Sequence, residues 1–284
     1  MAPVKMARLD LSPAGLDSLS DLLRLVFPDA DYLEPEFLAW SYTENPEGAA
    51  FGFNAWDGRR LAAHYATQPL LARIESKVER GLLSLHTATH PDFRGRSLFP
   101  QLAEATYDAA AREGFGFVVG VANAASTPGF IRKLGFQHVG SLEARLSLGR
   151  APLPMASMSP SFARQWSKDS LRWRLGGPRE DYLVEVEAEG FRVHAEIGQM
   201  RGLVELAFLP GEPLMRRPGP GPLRPLRLWV GLDPRRRFRP WINPHLPASL
   251  RPSPLNLIFR DLTGAGRTLD PDRILFQALD FDAF

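Results

Sequence analysis

The sequence predicts an α+β chain of two similar halves, each a mixed, mostly antiparallel sheet flanked by helices. Three observations carry this reading. Apolar residues recur at three- and four-residue spacing over 12–27 and 97–113 but alternate over 80–89, so helices and strands are interleaved. The first 150 residues run helices, antiparallel strands, then strand–helix–strand–helix–strand, an α+β order. Leu38-Ala39-Trp40 then returns as Leu171-Arg172-Trp173, Pro46 as Pro178, Gly58 as Gly190 and Arg60 as Arg192. That shared order, with one gap, predicts a degenerate internal duplication. The 284 residues also suit two domains, at ~100–200 residues each. The expected domains are 1–150 and 151–284, joined by a proline- and serine-rich linker over 149–161.

In chain order, 12–27 is an amphipathic helix, with Leu16, Leu19, Leu22, Leu23 and Val26 on one face and Pro28 as its stop. A short helix over 34–42 carries Phe37, Leu38 and Trp40. Strands over 52–56 and 61–69 form a hairpin at Asp57-Gly58. Another strand covers 80–89, and 97–113 is a helix stopped by Gly114. A strand over 117–121, a helix over 127–134 ended by Gly135 and a closing strand over 138–148 complete the first half. The second half offers strand-like runs over 203–208, 226–230, 255–259 and 274–279, with proline-rich loops between them.

Composition narrows the function classes. Hydrophobic residues make up 44% and charged residues 23%, so wholesale disorder and fibrous structure are excluded. No run approaches the ~18 apolar residues of a membrane span, and the N-terminus lacks the apolar core of a secretion signal. Cysteine is absent, which removes disulfides, thiolate metal sites and a catalytic thiol. The six histidines show no ligand spacing with carboxylates, so no metal site is expected. A soluble cytoplasmic protein with no membrane partner is the expectation. The net charge is only +2, but arginines crowd at Arg216, Arg217, Arg224, Arg227, Arg235, Arg236, Arg237 and Arg239. They read either as a solvated surface or as a phosphate or nucleic-acid contact. No alternation of aromatic and basic residues supports nucleic acid as a partner.

Residues 86–102, HTATHPDFRGRSLFPQL, carry the chemistry. A strand ends at Thr89, a tight basic turn Arg94-Gly95-Arg96-Ser97 follows, and a helix begins at once. Such a turn points several backbone N–H groups at one spot, backed by the positive end of the helix dipole. It is an anion cradle, and two arginines beside it suit a pyrophosphate.

This stretch, with VVGVANAASTPGFIRKLGFQHVG after it, resembles the acetyl-CoA core of the Gcn5-related N-acetyltransferases. The resemblance covers roughly 1–150 and is most specific over 83–140. The family pattern is arginine or glutamine, two residues, glycine, one residue, then glycine or alanine. Arg94 to Phe99 fill that frame, with Ser97 and Phe99 in place of the two glycines. A serine held at positive φ costs ~1–2 kcal/mol.

The resemblance implies that backbone groups of Thr87, Ala88 and Thr89 hold the pantetheine like an added strand. A bulge there is expected to splay the strand from 117–121. It also implies that amides of Arg94, Gly95, Arg96, Ser97, Leu98 and Phe99 hold the pyrophosphate. Asn123 pairs with the pantetheine amides, or caps the next helix, or does both, and Ser126 adds a hydroxyl. The implied activity is acetyl transfer from acetyl-CoA to a primary amine by direct attack in a ternary complex. The tyrosine commonly used as acid is replaced by Ile131. His86 and His64 are the candidate bases, since imidazole titrates near neutrality.

Ser97 and Ile131 also admit a non-catalytic acyl-CoA-binding or interaction module, and the arginines an electrostatic nucleic-acid binder. In the second half, Pro213, Pro218, Pro220, Pro222 and Pro225 stand where a helix would be needed, and each removes an N–H donor. One acetyl-CoA per chain is therefore expected, in the first half, with the second half closing the acceptor side.

Overall fold

The computed structural model describes residues 4–155, 158–178, 182–197, 202–215, 217–221, 224–247, 250 and 253–281. After β1 (Lys5–Arg8), helix α1 (Pro13–Val26) starts where the Ser12 hydroxyl accepts from Gly15 N–H, and it buries Leu16, Leu19, Leu22 and Leu23. Helix α2 (Pro35–Thr43) buries Phe37, Leu38, Trp40 and Tyr42. Strands β2 (Phe51–Asp57) and β3 (Arg60–Ile74) turn at Gly58, whose φ is +60°.

β3 runs through Pro69, where the sequence suggests an end. Pro69 lies beyond the reach of β2, which pairs up to Thr67, and before the next partner, which pairs from Leu71. Its carbonyl accepts from Asn45 Nδ2 at 2.8 Å, so its missing N–H also falls on that unpaired edge.

Strand β4 (Lys77–Thr89) leads to α3 (Leu98–Arg112), β5 (Phe117–Ala122) and α4 (Thr127–Leu134). The single closing strand expected over 138–148 is in fact two, β6 (Gln137–Ser141) and β7 (Glu143–Leu148). They part at Leu142, whose N–H bonds Leu255 O, and each pairs with a strand from beyond residue 200. The chain continues through β8 (Phe162–Gln165), α5 (Lys168–Leu175), β9 (Leu183–Glu187), β10 (Gly190–Ile197), β11 (Gly202–Pro210), β12 (Leu226–Leu232), β13 (Asn256–Asp261) and β14 (Ile274–Gln277).

Two copies of one strand order result. In the first, β2, β3 and β4 are antiparallel, β5 lies parallel to β4, and β13 runs antiparallel beside β5. In the second, β9, β10 and β11 are antiparallel, β12 lies parallel to β11, and β7 runs antiparallel beside β12. Each half thus contributes the strand that flanks the other's parallel pair. β8 and β14 join the two, β8 along the end of β3 and β14 between β8 and β12. This is a mixed, mostly antiparallel α+β fold in tandem, as the sequence predicts.

Helices α1 and α2 cover one face of β3 and β4, and α3 and α4 the other. A third core, holding Phe117, Phe162, Phe259 and Phe276, runs unbroken from one sheet into the other. Gly81 is required there, because a Cβ would sit 2.1 Å from the Phe117 ring. Trp40 and Trp173 do not merely repeat: their rings stack at 4.9 Å, and the Trp173 indole donates to Trp40 O. Trp40 is buried and Trp173 half-buried. The glycine match is displaced. Gly58 lies in its hairpin turn, whereas Gly190 opens β10 opposite Glu187, its Cβ position 2.2 Å from Leu209 O. The two glycines answer different constraints, so the hairpins align two residues away from the sequence match.

The arginine run is largely structural, which corrects its reading as a solvated or phosphate-facing surface. Arg192 and Arg236 pair with the buried Glu205 and donate to Ala151 O and Pro152 O. The segment after Gly149 is thereby tied across the second sheet instead of hanging free. Arg235 is bidentate on Asp233, Arg224 pairs with Glu196, and Arg217 donates to Leu175 O. Arg227 is buried beside His194 and Glu185. Arg237 and Arg239 are exposed, and Arg216 lies outside the described residues, as does Pro222. Among the described residues no helix is long and apolar enough to cross a membrane.

Candidate functional site

The β3–β4 ladder is regular up to Ala66↔Leu85 and resumes at His64↔Ala88, so Tyr65 faces two residues, His86 and Thr87. This is a β-bulge, and His86 takes the left-handed conformation, with φ +43°. β5 pairs with β4 only from Leu82 to Ser84. Beyond that point β4 continues to Thr89 with β3 as its one strand partner, while β5 continues to Ala122. The parallel strands open into a fork with Ser84 and Gly120 at its base. Beneath it, the Tyr65 hydroxyl donates to Ser84 Oγ at 2.9 Å and meets the Tyr107 hydroxyl at 2.6 Å. Burial pushes Tyr65 up to about 12 and raises Tyr107 as well, so both phenols stay neutral.

The β4 prong ends in a short 3-10 turn, then Arg94, Gly95 (φ +77°), Arg96, Ser97 (φ +55°) and α3. Ser97 adopts the left-handed geometry that its replacement of a glycine implies. Its side chain does not cap α3, and the N–H groups of Leu98 and Phe99 open the helix without intrahelical acceptors. Pro100, just behind them, removes a third donor, a point the sequence reading missed. Phe99 turns inward between Tyr65 and Phe130, at 5.9 and 5.1 Å, so its bulk lies below the turn. Arg96 lies over the Phe93 ring, and Arg94 is exposed.

The β5 prong ends in a second turn. Asn123 Oδ1 accepts from the backbone N–H and hydroxyl of Ser126, at 2.9 and 3.0 Å. Asn123 therefore organises the entry to α4, with its carboxamide NH₂ as the remaining donor.

The two candidate histidines belong to one hydrogen-bonded chain. His64 is 1% exposed; its Nδ1 lies 2.7 Å from Asn54 Oδ1 and its Nε2 3.0 Å from the Tyr42 hydroxyl. The same hydroxyl lies 3.0 Å from His86 Nδ1. A carboxamide oxygen only accepts, so His64 carries its proton on Nδ1 and accepts from Tyr42 at Nε2. Tyr42 Oη then accepts from His86 Nδ1–H, which leaves the lone pair of His86 on Nε2. Burial, and secondarily the nearby His86, hold His64 down to about 3. His64 is thus a buried neutral link, and His86 is the half-buried imidazole at the bulge. Tyr42 and Asn54 went unnoticed in the sequence. Counting back from Asp57-Gly58 does not place Asn54 opposite His64, because the register shifts between Ala55 and Trp56. Tyr42 carries no local signal either. Ile131 is half-buried and supplies no phenol.

The second half has the same fork, filled by its own chain. β11 and β12 pair over Gly202–Glu205 and Leu226–Trp229, after which β14 takes up β12 at Gly231 and Leu232. Gln277 Oε1 accepts from Phe208 N–H at 2.8 Å, and the turn Ala278–Asp280 touches both prongs. Between β11 and β12 there is no helix among the described residues.

No family model and no curated protein matches the sequence. Solved structures do match. A probable N-acyltransferase from Enterococcus faecalis V583 superposes with a TM-score of 0.62 at 10% identity, over 92% of this chain and 73% of that one. A Gcn5-related N-acetyltransferase from Kribbella flavida gives 0.60 at 13%, over 92% and 72%. Another from Anabaena variabilis gives 0.63 at 10%, over 91% and 73%. The fold is that of the Gcn5-related N-acetyltransferases.

Proposed function

We propose that the protein is an acyl-CoA-dependent N-acyltransferase, moving an acetyl group from acetyl-CoA to a primary amine in a ternary complex. The observation that carries this reading is the fork: a bulge at His86, unpaired strand edges beyond Ser84, and a left-handed turn into an uncapped helix. The residues suit the donor. The edges of Thr87, Ala88 and Thr89 offer an added-strand partner to an amide-bearing arm. The amides from Gly95 to Phe99, with Arg94 and Arg96, offer a pyrophosphate cradle. Asn123 has a donor to spare toward the same gap, with Ser126 beside it. When bound, acetyl-CoA supplies the activated acyl group.

In this reading His86 Nε2 accepts the proton that the incoming ammonium must lose. Tyr42, His64 and Asn54 are positioning residues that fix the His86 tautomer. The first half, up to Gly149, holds the donor, and the second half, from 151 onward, closes the acceptor side.

The test is calorimetry with acetyl-CoA, followed by thiol release with a panel of primary amines. Saturable binding together with amine-dependent release supports the proposal. Absence of binding refutes it, and binding without release for any amine refutes its catalytic part.

A further inference from the structure

A cavity of about 520 Å³ opens in the second half, where the end of β11 faces the passage from β8 into α5. Its size is ordinary for a small-molecule site. Leu171, Phe208, Leu214 and Leu275 give it apolar walls. One charged group is built into the wall. Arg164 is 9% exposed, and its guanidinium carbon lies 3.7 Å from the Trp166 ring centroid.

Arg164 differs from the buried Arg192 and Arg236. Arg192 and Arg236 each pair with the Glu205 carboxylate. Arg164 donates instead to a neutral acceptor, the main-chain oxygen of Asp280, at 2.9 Å. The Asp280 carboxylate is taken by Trp166 Nε1 at 3.1 Å and by Gln277 N–H at 2.7 Å. The Asp280 carboxylate attracts Arg164 but makes no hydrogen bond to it among the described residues. Burial draws its pKa down to about 10, as expected of a cation with incomplete compensation. A buried cation of this kind is costly unless something pairs it.

The neighbouring cations are engaged elsewhere or lie in solvent. Arg235 is closed on Asp233, Arg73 is bonded to Pro160 O and Glu75 O, and Lys168 is exposed at the rim. Glu212 on the rim repels a polyanion.

We propose that this cavity binds a small apolar monocarboxylate, with its carboxylate on Arg164 and its body against the leucines and Phe208. A carboxylate matches the guanidinium fork, and one guanidinium with no hydrogen-bonded carboxylate matches one negative charge. The lining shares no residue with the fork at His86, so the inference stands apart from the acyltransfer reading.

The test uses the full chain and two probes of equal length, octanoate and 1-octanol, by calorimetry. Octanoate is expected to bind one per chain and at least ~tenfold more tightly than octanol, about 1.4 kcal/mol. Saturating acetyl-CoA is expected not to displace it. Arg164→Met should erase the preference, because it removes the group that the carboxylate pairs with. If Arg164→Met does not fold, Phe208→Trp fills the cavity with the cation intact and must abolish octanoate binding. Four results would overturn the proposal: no octanoate binding, equal affinity for octanol in wild type, the preference retained in Arg164→Met or octanoate binding retained in Phe208→Trp, or displacement by acetyl-CoA.

Discussion

Each half parts a parallel strand pair near a bulge: β4 from β5 at His86, and β11 from β12 where the β10 register shifts between Val193 and His194. The halves differ in the segment beyond the first strand of that pair. After β4 come Gly95 and Ser97, both at positive φ, and a fifteen-residue helix. After β11 comes a stretch with Pro213, Pro218, Pro220 and Pro225, and the fork is closed by Gln277 and the turn behind it. One sheet skeleton thus carries an open fork in one half and, in the other, a fork that the chain's own strand fills. The segment beyond the strand decides which.

The largest expected effect exposes a feature the halves share. Each keeps a neutral histidine beside its bulge: burial lowers His64 from 6.5 to about 3 and His194 to about 4. Below pH 6.5 the unfolded chain takes up protons that these folded sites refuse. Stability is therefore lost as pH falls toward 3 and is unaffected by them above 6.5. Between pH 7 and 4.5 each histidine should cost roughly 2–3 kcal/mol, at ~1.4 kcal/mol per pH unit. Urea melts of wild type and His64→Gln should show a shallower pH slope in the variant. Equal slopes would mean His64 is not held neutral.

Next comes the turn that only the first half has. Gly95→Pro cannot hold φ +77° and loses an N–H, and Arg94→Glu sets a carboxylate at the cradle. Each should weaken acetyl-CoA binding at least ~tenfold, about 1.4 kcal/mol, by calorimetry. Unchanged affinity in folded variants would remove the cradle from the account.

Gln277→Ala probes the other fork. It leaves the part-buried Phe208 N–H without its acceptor and should destabilise by ~1 kcal/mol in urea melts. It should not create a second acetyl-CoA site, because among the described residues no α-helix follows β11 as α3 follows β4. A second binding event in this variant would mean that occlusion alone separates the halves.

The smallest effect concerns Ser97. Ser97→Gly relieves a left-handed serine and should stabilise by up to ~1 kcal/mol, without weakening acetyl-CoA binding. A loss of stability would mean the serine side chain does something no contact here explains.

Much of this comparison was legible in the sequence. The basic turn, the caps at Gly114 and Gly135, and the loss of a helix to prolines follow from local rules, and the positive φ at Ser97 from the family frame in which it replaces a glycine. Partnership does not. Periodicity marks 138–148 and 255–259 as strands, but nothing local says that strands there flank the other half's parallel pair. The tyrosine bridging His64 and His86 sits on α2, 22 residues before one and 44 before the other, so only the tertiary fold brings it there. The glycine repeat misled because a turn and a crowded strand both favour glycine. The arginines misled because buried carboxylates such as Glu205 lie far from them in sequence.

The contrast between the forks is tested most directly by native mass spectrometry with saturating acetyl-CoA on wild type, Gly95→Pro and Gln277→Ala. The account predicts one adduct per chain in wild type, one in Gln277→Ala and none in Gly95→Pro. Two adducts in wild type, or a single adduct that survives Gly95→Pro, would contradict it.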